Sequence, residues 1–143
     1  MHKTVIGRVD RIDLPEFGLT EINAKIDTGA NRSSIHCSQI EEHRDNGVDE
    51  ITFHIPLDNS MGTNVFHTTD YFKKNIRSSS GHIKERYVIK TTVVLFGRRI
   101  KTTVSLSDRR EMKYPILLGR KLLKGKFVVD VIEENLSHKA KNK

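Results

Sequence analysis

Short runs in which apolar and polar residues alternate set the strongest limit on how this chain can fold. Ile51, Phe53, Ile55 and Leu57 alternate in this way. So do Tyr87, Ile89, Thr91 and Val93, and again Ile100, Thr102, Val104 and Leu106. A period of two places every second side chain on one face of a strand. Turn chemistry separates the runs, at Leu14-Pro15-Glu16-Phe17-Gly18, at Asn46-Gly47 and at Phe96-Gly97-Arg98-Arg99. Residues 5–11 read as a first strand with Val5, Gly7 and Val9 on one parity, and 19–27 as its hairpin partner. The wholly apolar Ile116-Leu117-Leu118 predicts a buried strand. Residues 121–124 predict one helical turn ended by Gly125, and 127–132 a last strand. Segments 33–40 and 65–76 do not declare their type. No long amphipathic helix appears, so the pattern predicts an all-β barrel or sandwich.

A chain of 143 residues suits one domain, taken as residues 1–135, with 136–143 as a basic disordered tail. With 36% hydrophobic and 30% charged residues it is neither membranous nor disordered in composition, and no apolar run is long enough to cross a bilayer. The single cysteine, Cys37, cannot form an internal disulfide, which fits a reducing, cytoplasmic compartment. The net charge of +7 favours an acidic partner, either nucleic acid or an acidic peptide, and is also compatible with a role in solubility alone.

One strand ends in chemistry. Ile22, Ala24 and Ile26 alternate and deliver Asp27 into Asp27-Thr28-Gly29-Ala30. A carboxylate at the end of an apolar strand is costly unless something holds it there. Asp and Gly are also ordinary turn residues, so the tripeptide alone does not decide between a site and a turn. A second motif near the other end, Ile116-Leu117-Leu118-Gly119-Arg120 followed by Leu122-Leu123, changes the balance.

With both motifs in place the sequence resembles the retropepsin-like aspartic proteases. That family has an Asp-Thr-Gly-Ala loop, a glycine-tipped flap, and an apolar-apolar-Gly-Arg segment leading into a short helix. Lys25 to Ala30 with Ser33-Ser34-Ile35-His36, and Tyr114-Pro115 before Ile116 to Arg120, are similar to a bacterial branch labelled ATP-dependent zinc protease. The segment 47–77 is longer than in compact viral members. The resemblance implies a closed retropepsin-like β-barrel with one short C-terminal helix.

It also implies a mechanism. Peptide hydrolysis by carboxylates needs one ionised group and one protonated group, and two carboxylates held close share a proton. The chain has one Asp-Thr-Gly, so the resemblance implies a homodimer in which each Asp27 meets its counterpart on the two-fold axis. Thr28 would tie the two loops together and Gly29 would let substrate backbone approach. Ala30, Asn31 and Arg32 would line the substrate groove with Ser80 and Gly81, the expected flap tip. Gly119 and Arg120 would support the Asp loop from below. In the family this arginine bonds a carboxylate just after Asp-Thr-Gly-Ala, but here Asn31 and Arg32 stand there, so its partner is open. Arg32 fits either pairing with an acidic substrate side chain or a solvated surface position.

No His-Glu-x-x-His, Cys-x-x-Cys or Gly-x-x-x-x-Gly-Lys-Ser/Thr pattern occurs, so no metal, nucleotide or other cofactor is expected. Ser33, Ser34, His36 and Cys37 are assigned to packing and turns. Some members of the bacterial branch are associated with ATP-grasp proteins resembling glutamate ligases. That association implies a glutamate-rich or glutamylated tail as substrate and such a ligase as partner. The competing reading is a non-catalytic β-barrel module that binds acidic peptide or RNA, although no aromatic pair for base stacking supports RNA.

Overall fold

The computed structural model describes residues 2–56, 65–77, 81–108 and 114–141. In chain order these form β1 (Thr4–Ile6), β2 (Val9–Leu14), a 3-10 turn (Pro15–Phe17), β3 (Leu19–Ile26), β4 (Ser33–His36), β5 (Ser38–Asp45) and β6 (Val48–His54). Then follow β7 (Val65–Thr68), β8 (Tyr71–Arg77), β9 (Ile83–Leu95), β10 (Arg98–Ser107), β11 (Ile116–Leu118), α1 (Arg120–Leu123), β12 (Phe127–Val129) and α2 (Leu136–Lys141). The expected all-β class holds. The two undeclared segments are strands: 33–40 divides into β4 and the start of β5, and 65–76 into β7 and β8.

Turn residues bend the chain where the sequence predicts. Asn46 (φ 52°) and Gly47 (φ 79°) join β5 to β6, and Phe96 (φ 53°) with Gly97 (φ 70°) joins β9 to β10. Two successive left-handed residues match the twist of an antiparallel pair, which is why these hairpins close tightly. One seven-stranded sheet runs β10-β4-β11-β3-β2-β9-β8, and β9 also pairs with β10, so the sheet curls back on itself. Between β2 and β9 the ladder is a single pair, Asp13 opposite Val94, so closure is weak on that side. A two-stranded sheet, β1-β12, and a three-stranded sheet, β5-β6-β7, stand apart from it. The core gathers Ile12, Leu14, Ile22, Ala24 and Ile26 with Ile89, Val93, Leu95 and Leu118. The inward alternation predicted for β3 and β9 is therefore what packs.

Two features differ from expectation. In β2 the buried parity is Asp10, Ile12 and Leu14, not the parity of Val9. Asp10 is only 1% exposed, so a carboxylate sits on the inward face. The second difference explains the first. Residues expected as a disordered tail form α2, and its first turn rests on Asp10: Ser137 N donates to Oδ2 at 2.9 Å and His138 N to Oδ1 at 3.2 Å. Arg11 N donates to the same Oδ1 at 2.8 Å. The free N–H groups of a helix start need acceptors, and a carboxylate there also meets the positive end of the helix dipole. Lys141 bonds Glu21 at 3.0 Å and adds a clasp at the other end of α2. The basic residues of this tail are thus partly used in docking it. Asp10→Ala should strand buried N–H groups and cost about 2 kcal/mol. Denaturant unfolding and amide exchange in α2 check this, and unchanged stability would mean that the helix docks without the carboxylate.

Candidate active site

Asp27 is placed by three strands. β3 lies between antiparallel β2 and parallel β11, with Ile26 level with Leu118. Ile26 N donates to Arg8 O and Asp27 N to Leu118 O, each at 2.9 Å. The chain then turns: Ala30 N donates to Asp27 O at 3.2 Å, and Gly29 N donates to Asp27 Oδ1 at 3.0 Å. The half-buried carboxylate is thus anchored through one oxygen. Among the described residues its second oxygen accepts no hydrogen bond, which leaves it for water or a substrate group.

The second motif braces this loop. Gly119 runs so close beneath it that a Cβ there would lie 2.7 Å from Arg32 C and 2.9 Å from Ala30 O, both backbone atoms. Only a residue without a side chain fits that approach. Gly119 N donates to Ser33 Oγ at 3.0 Å. Arg120 N donates to Ala30 O at 2.8 Å and Lys121 N to Asn31 O at 2.9 Å. The open question about Arg120 has an answer: its Nη1 donates to the Thr28 carbonyl at 2.9 Å. A backbone carbonyl takes the place of the carboxylate that this sequence lacks. Ser33, assigned to packing by the sequence reading, is a brace of the loop. Its place after Asn31-Arg32 gave no hint of a contact with a residue 86 positions away.

Arg32 is not a free surface arginine. It is half-buried, with its guanidinium carbon 5.8 Å from the centre of the Phe72 ring on β8. Burial pushes its guanidinium below the ordinary value, and among the described residues its buried Nε has no hydrogen-bond partner. The charge of Arg32 in turn is the largest cause holding the Lys121 ammonium below its ordinary value, ahead of burial and of Lys74. Nothing local in the sequence links Phe72 to the loop at 27–32.

The hairpin β8–β9 pairs out to Arg77 opposite Ile83, which frames the expected flap. Gly81 has φ 86°, a left-handed conformation suited to a turn, and Ser80 lies outside the described residues. Below the Asp loop an open groove of about 620 Å³ borders Thr28 and Asn31 and continues along Leu123, Phe127 and Val129. It lies beside the loop rather than over Asp27. The zinc in the branch label finds no fit: among the described residues no three metal-binding side chains gather, and burial pushes the Cys37 thiol up to about 12. A thiol must lose its proton to bind zinc well. No helix among the described residues is long and apolar enough to cross a membrane.

Comparison with known proteins agrees with this geometry. The chain is 33% identical over 134 residues to a "Probable alpha-L-glutamate ligase" of Shewanella halifaxensis, covering 92% of this chain and 29% of that protein. A protein of the same name from Desulfotalea psychrophila is 32% identical over 130 residues, covering 90% and 28%. The chain therefore spans under a third of the length of these curated relatives. A Legionella pneumophila protein of unknown function, known from a crystal structure, superposes with a TM-score of 0.76 at 26% identity, covering 95% of this chain and 99% of that one. Residues 5–140 match the RimB-like family, described as "Retropepsin-like aspartic endopeptidase RimB". With Asp27 held at the strand end and Gly119-Arg120 braced beneath it, the chain belongs to this RimB-like, retropepsin-like family.

Proposed function

We propose that the protein is an aspartic endopeptidase acting as a homodimer on acidic protein tails, glutamate-rich or glutamylated. The observation that carries this reading is the Asp27 carboxylate, fixed through Oδ1 by Gly29 N–H at 3.0 Å on a loop braced by Arg120. One such group cannot both take and give a proton in the same step. Two can, if a second chain supplies the other. The ionised Asp27 takes a proton from water, whose oxygen attacks the peptide carbonyl carbon. The protonated Asp27 of the second chain gives its proton to the carbonyl oxygen. The resulting diol collapses: one hydroxyl proton returns to a carboxylate, the C–N bond breaks, and the amine leaves with a proton from the dyad. The carboxylate pair ends with the one shared proton it began with.

The second chain needs a surface, and the apolar groove beside Thr28 supports this reading. Val131 and Ile132, 75% and 79% exposed, follow in sequence just after Val129, which lines the groove, and suit burial against a like copy. The acidic substrate is supported by the net charge of +7 and by relatives named glutamate ligases, in which the matching region forms only part of a longer chain. That linkage also supports a ligase of the ATP-grasp type as a working partner.

Incubation of the wild type with glutamate-tailed and unbiased peptide libraries, read by mass spectrometry, tests the reading. Cleavage should concentrate in the glutamate-tailed set. No cleavage in either library would favour the non-catalytic binding module.

A further inference from the structure

The two faces of the β8–β9 hairpin treat their positive charges differently. On one face Lys73 bonds Glu42 at 2.8 Å, and Tyr71 OH donates to the same carboxylate at 2.6 Å. On the other face Phe72 and Lys74 share a parity, and Lys74 stands directly opposite Arg86. Like charges opposite one another weaken a strand pair. Phe72 on this face meets Arg32, which comes from the loop that carries Asp27. Lys121 joins the same group through its backbone bond to Asn31 and feels the charge of both Arg32 and Lys74. Among the described residues no ion pair links Arg32, Lys74, Arg86 or Lys121 to a carboxylate. Among the same residues the buried Nε of Arg32 also finds no hydrogen-bond partner. On one face Lys73 is paired from within the chain, and among the described residues the cations beside the Asp27 loop are not. An arginine stacked on an aromatic ring is held in a fixed plane, and that plane suits a carboxylate.

We propose that Arg32, Lys74 and Lys121 form a carboxylate-binding subsite that seats an acidic side chain of the substrate and so sets which peptide bond lies at Asp27. Phe72 orients Arg32 and does not touch the anion. A carboxylate there relieves the mutual repulsion of three cations. A glutamine of the same shape offers an amide oxygen without the charge. Discrimination between the two therefore reads the subsite directly.

The word substrate rests on the endopeptidase reading, so binding is measured apart from cleavage. Full-length protein carrying Asp27→Asn is titrated into a fluorescein-labelled octapeptide of alternating alanine and glutamate, followed by anisotropy. A second titration uses the alanine and glutamine counterpart. The glutamate peptide should bind about tenfold more tightly or better. Lys74→Gln, Lys121→Gln and Arg32→Gln should each remove most of that preference, and Arg32→Lys should keep part of it. Arg99→Gln removes the same charge at the β9–β10 turn and should leave the preference intact. Circular dichroism melts confirm that each variant is folded, and exposed Lys74 keeps the test available if a change at Arg32 disturbs the loop. Equal binding of the two peptides overturns the proposal. So does an equal loss in Arg99→Gln and Lys74→Gln, because the attraction would then be one of net charge alone. A wild type that shows the glutamate preference and cuts nothing would instead sink the endopeptidase reading and leave the subsite standing.

Discussion

Asp27→Asn is expected to lower peptide cleavage by about a thousandfold or more, the range that loss of acid–base catalysis commands. An asparagine keeps the size of the side chain and the oxygen that accepts from Gly29 N–H. It cannot ionise, so it cannot take a proton from water, and in a dimer both halves of the site fail together. Stability should move little, within about 1 kcal/mol, because the side chain is only half-buried and the hydrogen bond from Gly29 survives. Rates measured by mass spectrometry and melts followed by circular dichroism separate the two effects. Undiminished cleavage in a folded variant would remove Asp27 from the reaction.

Gly119→Ala is expected to act in the opposite sense, on the fold first. A methyl group there meets three backbone atoms at 2.7–2.9 Å, the carbonyl groups of Arg32 and Ala30. None belongs to a side chain that can swing away. Either β11 withdraws from the loop or the loop is pushed off, and both routes strain the bonds from Arg120 N to Ala30 O and from Gly119 N to Ser33 Oγ. The cost should be about 3 kcal/mol, at the upper end for overpacking. Ser33→Ala removes the Oγ acceptor without adding bulk and should cost about 1 kcal/mol. Denaturant titration of the two variants gives the comparison. An alanine at 119 tolerated within about 0.5 kcal/mol would contradict the close approach.

What the sequence disclosed and what it hid follow one physical divide. Alternation with period two is a local property, and it marked β3, β9 and β10 and the buried β11. Turns are local as well, and Asn46-Gly47 and Phe96-Gly97 fall where two left-handed residues are needed. The Asp27 loop could be found because its chemistry lies within a tripeptide and its support within Gly119-Arg120. The rest depends on distant partners. Asp10 looks like a solvent-facing acid until α2 arrives from 127 positions away to donate its N–H groups. The tail looks like solvated charge for the same reason in reverse, since its helix is stable only where Asp10 and Glu21 receive it. Phe72 is one aromatic in an undeclared segment until the curl of the sheet lays β8 against Arg32. The acceptor of Arg120 departs from the family's carboxylate because Asn31 and Arg32 replace the acid, and the Thr28 carbonyl accepts its hydrogen bond instead.

The proposed reaction needs two copies of Asp27, one from each of two chains. Mixing tests it most directly. Wild type and Asp27→Asn protein are combined at a fixed wild-type concentration, allowed to exchange subunits, and assayed for cleavage. If the site is shared, a random mixture of equal parts leaves each wild-type chain paired with an active partner about half the time, and activity per wild-type chain falls to about half. A larger excess of the variant should drive it toward zero. Activity per wild-type chain that stays constant across the whole mixing series would mean that one chain carries a complete site.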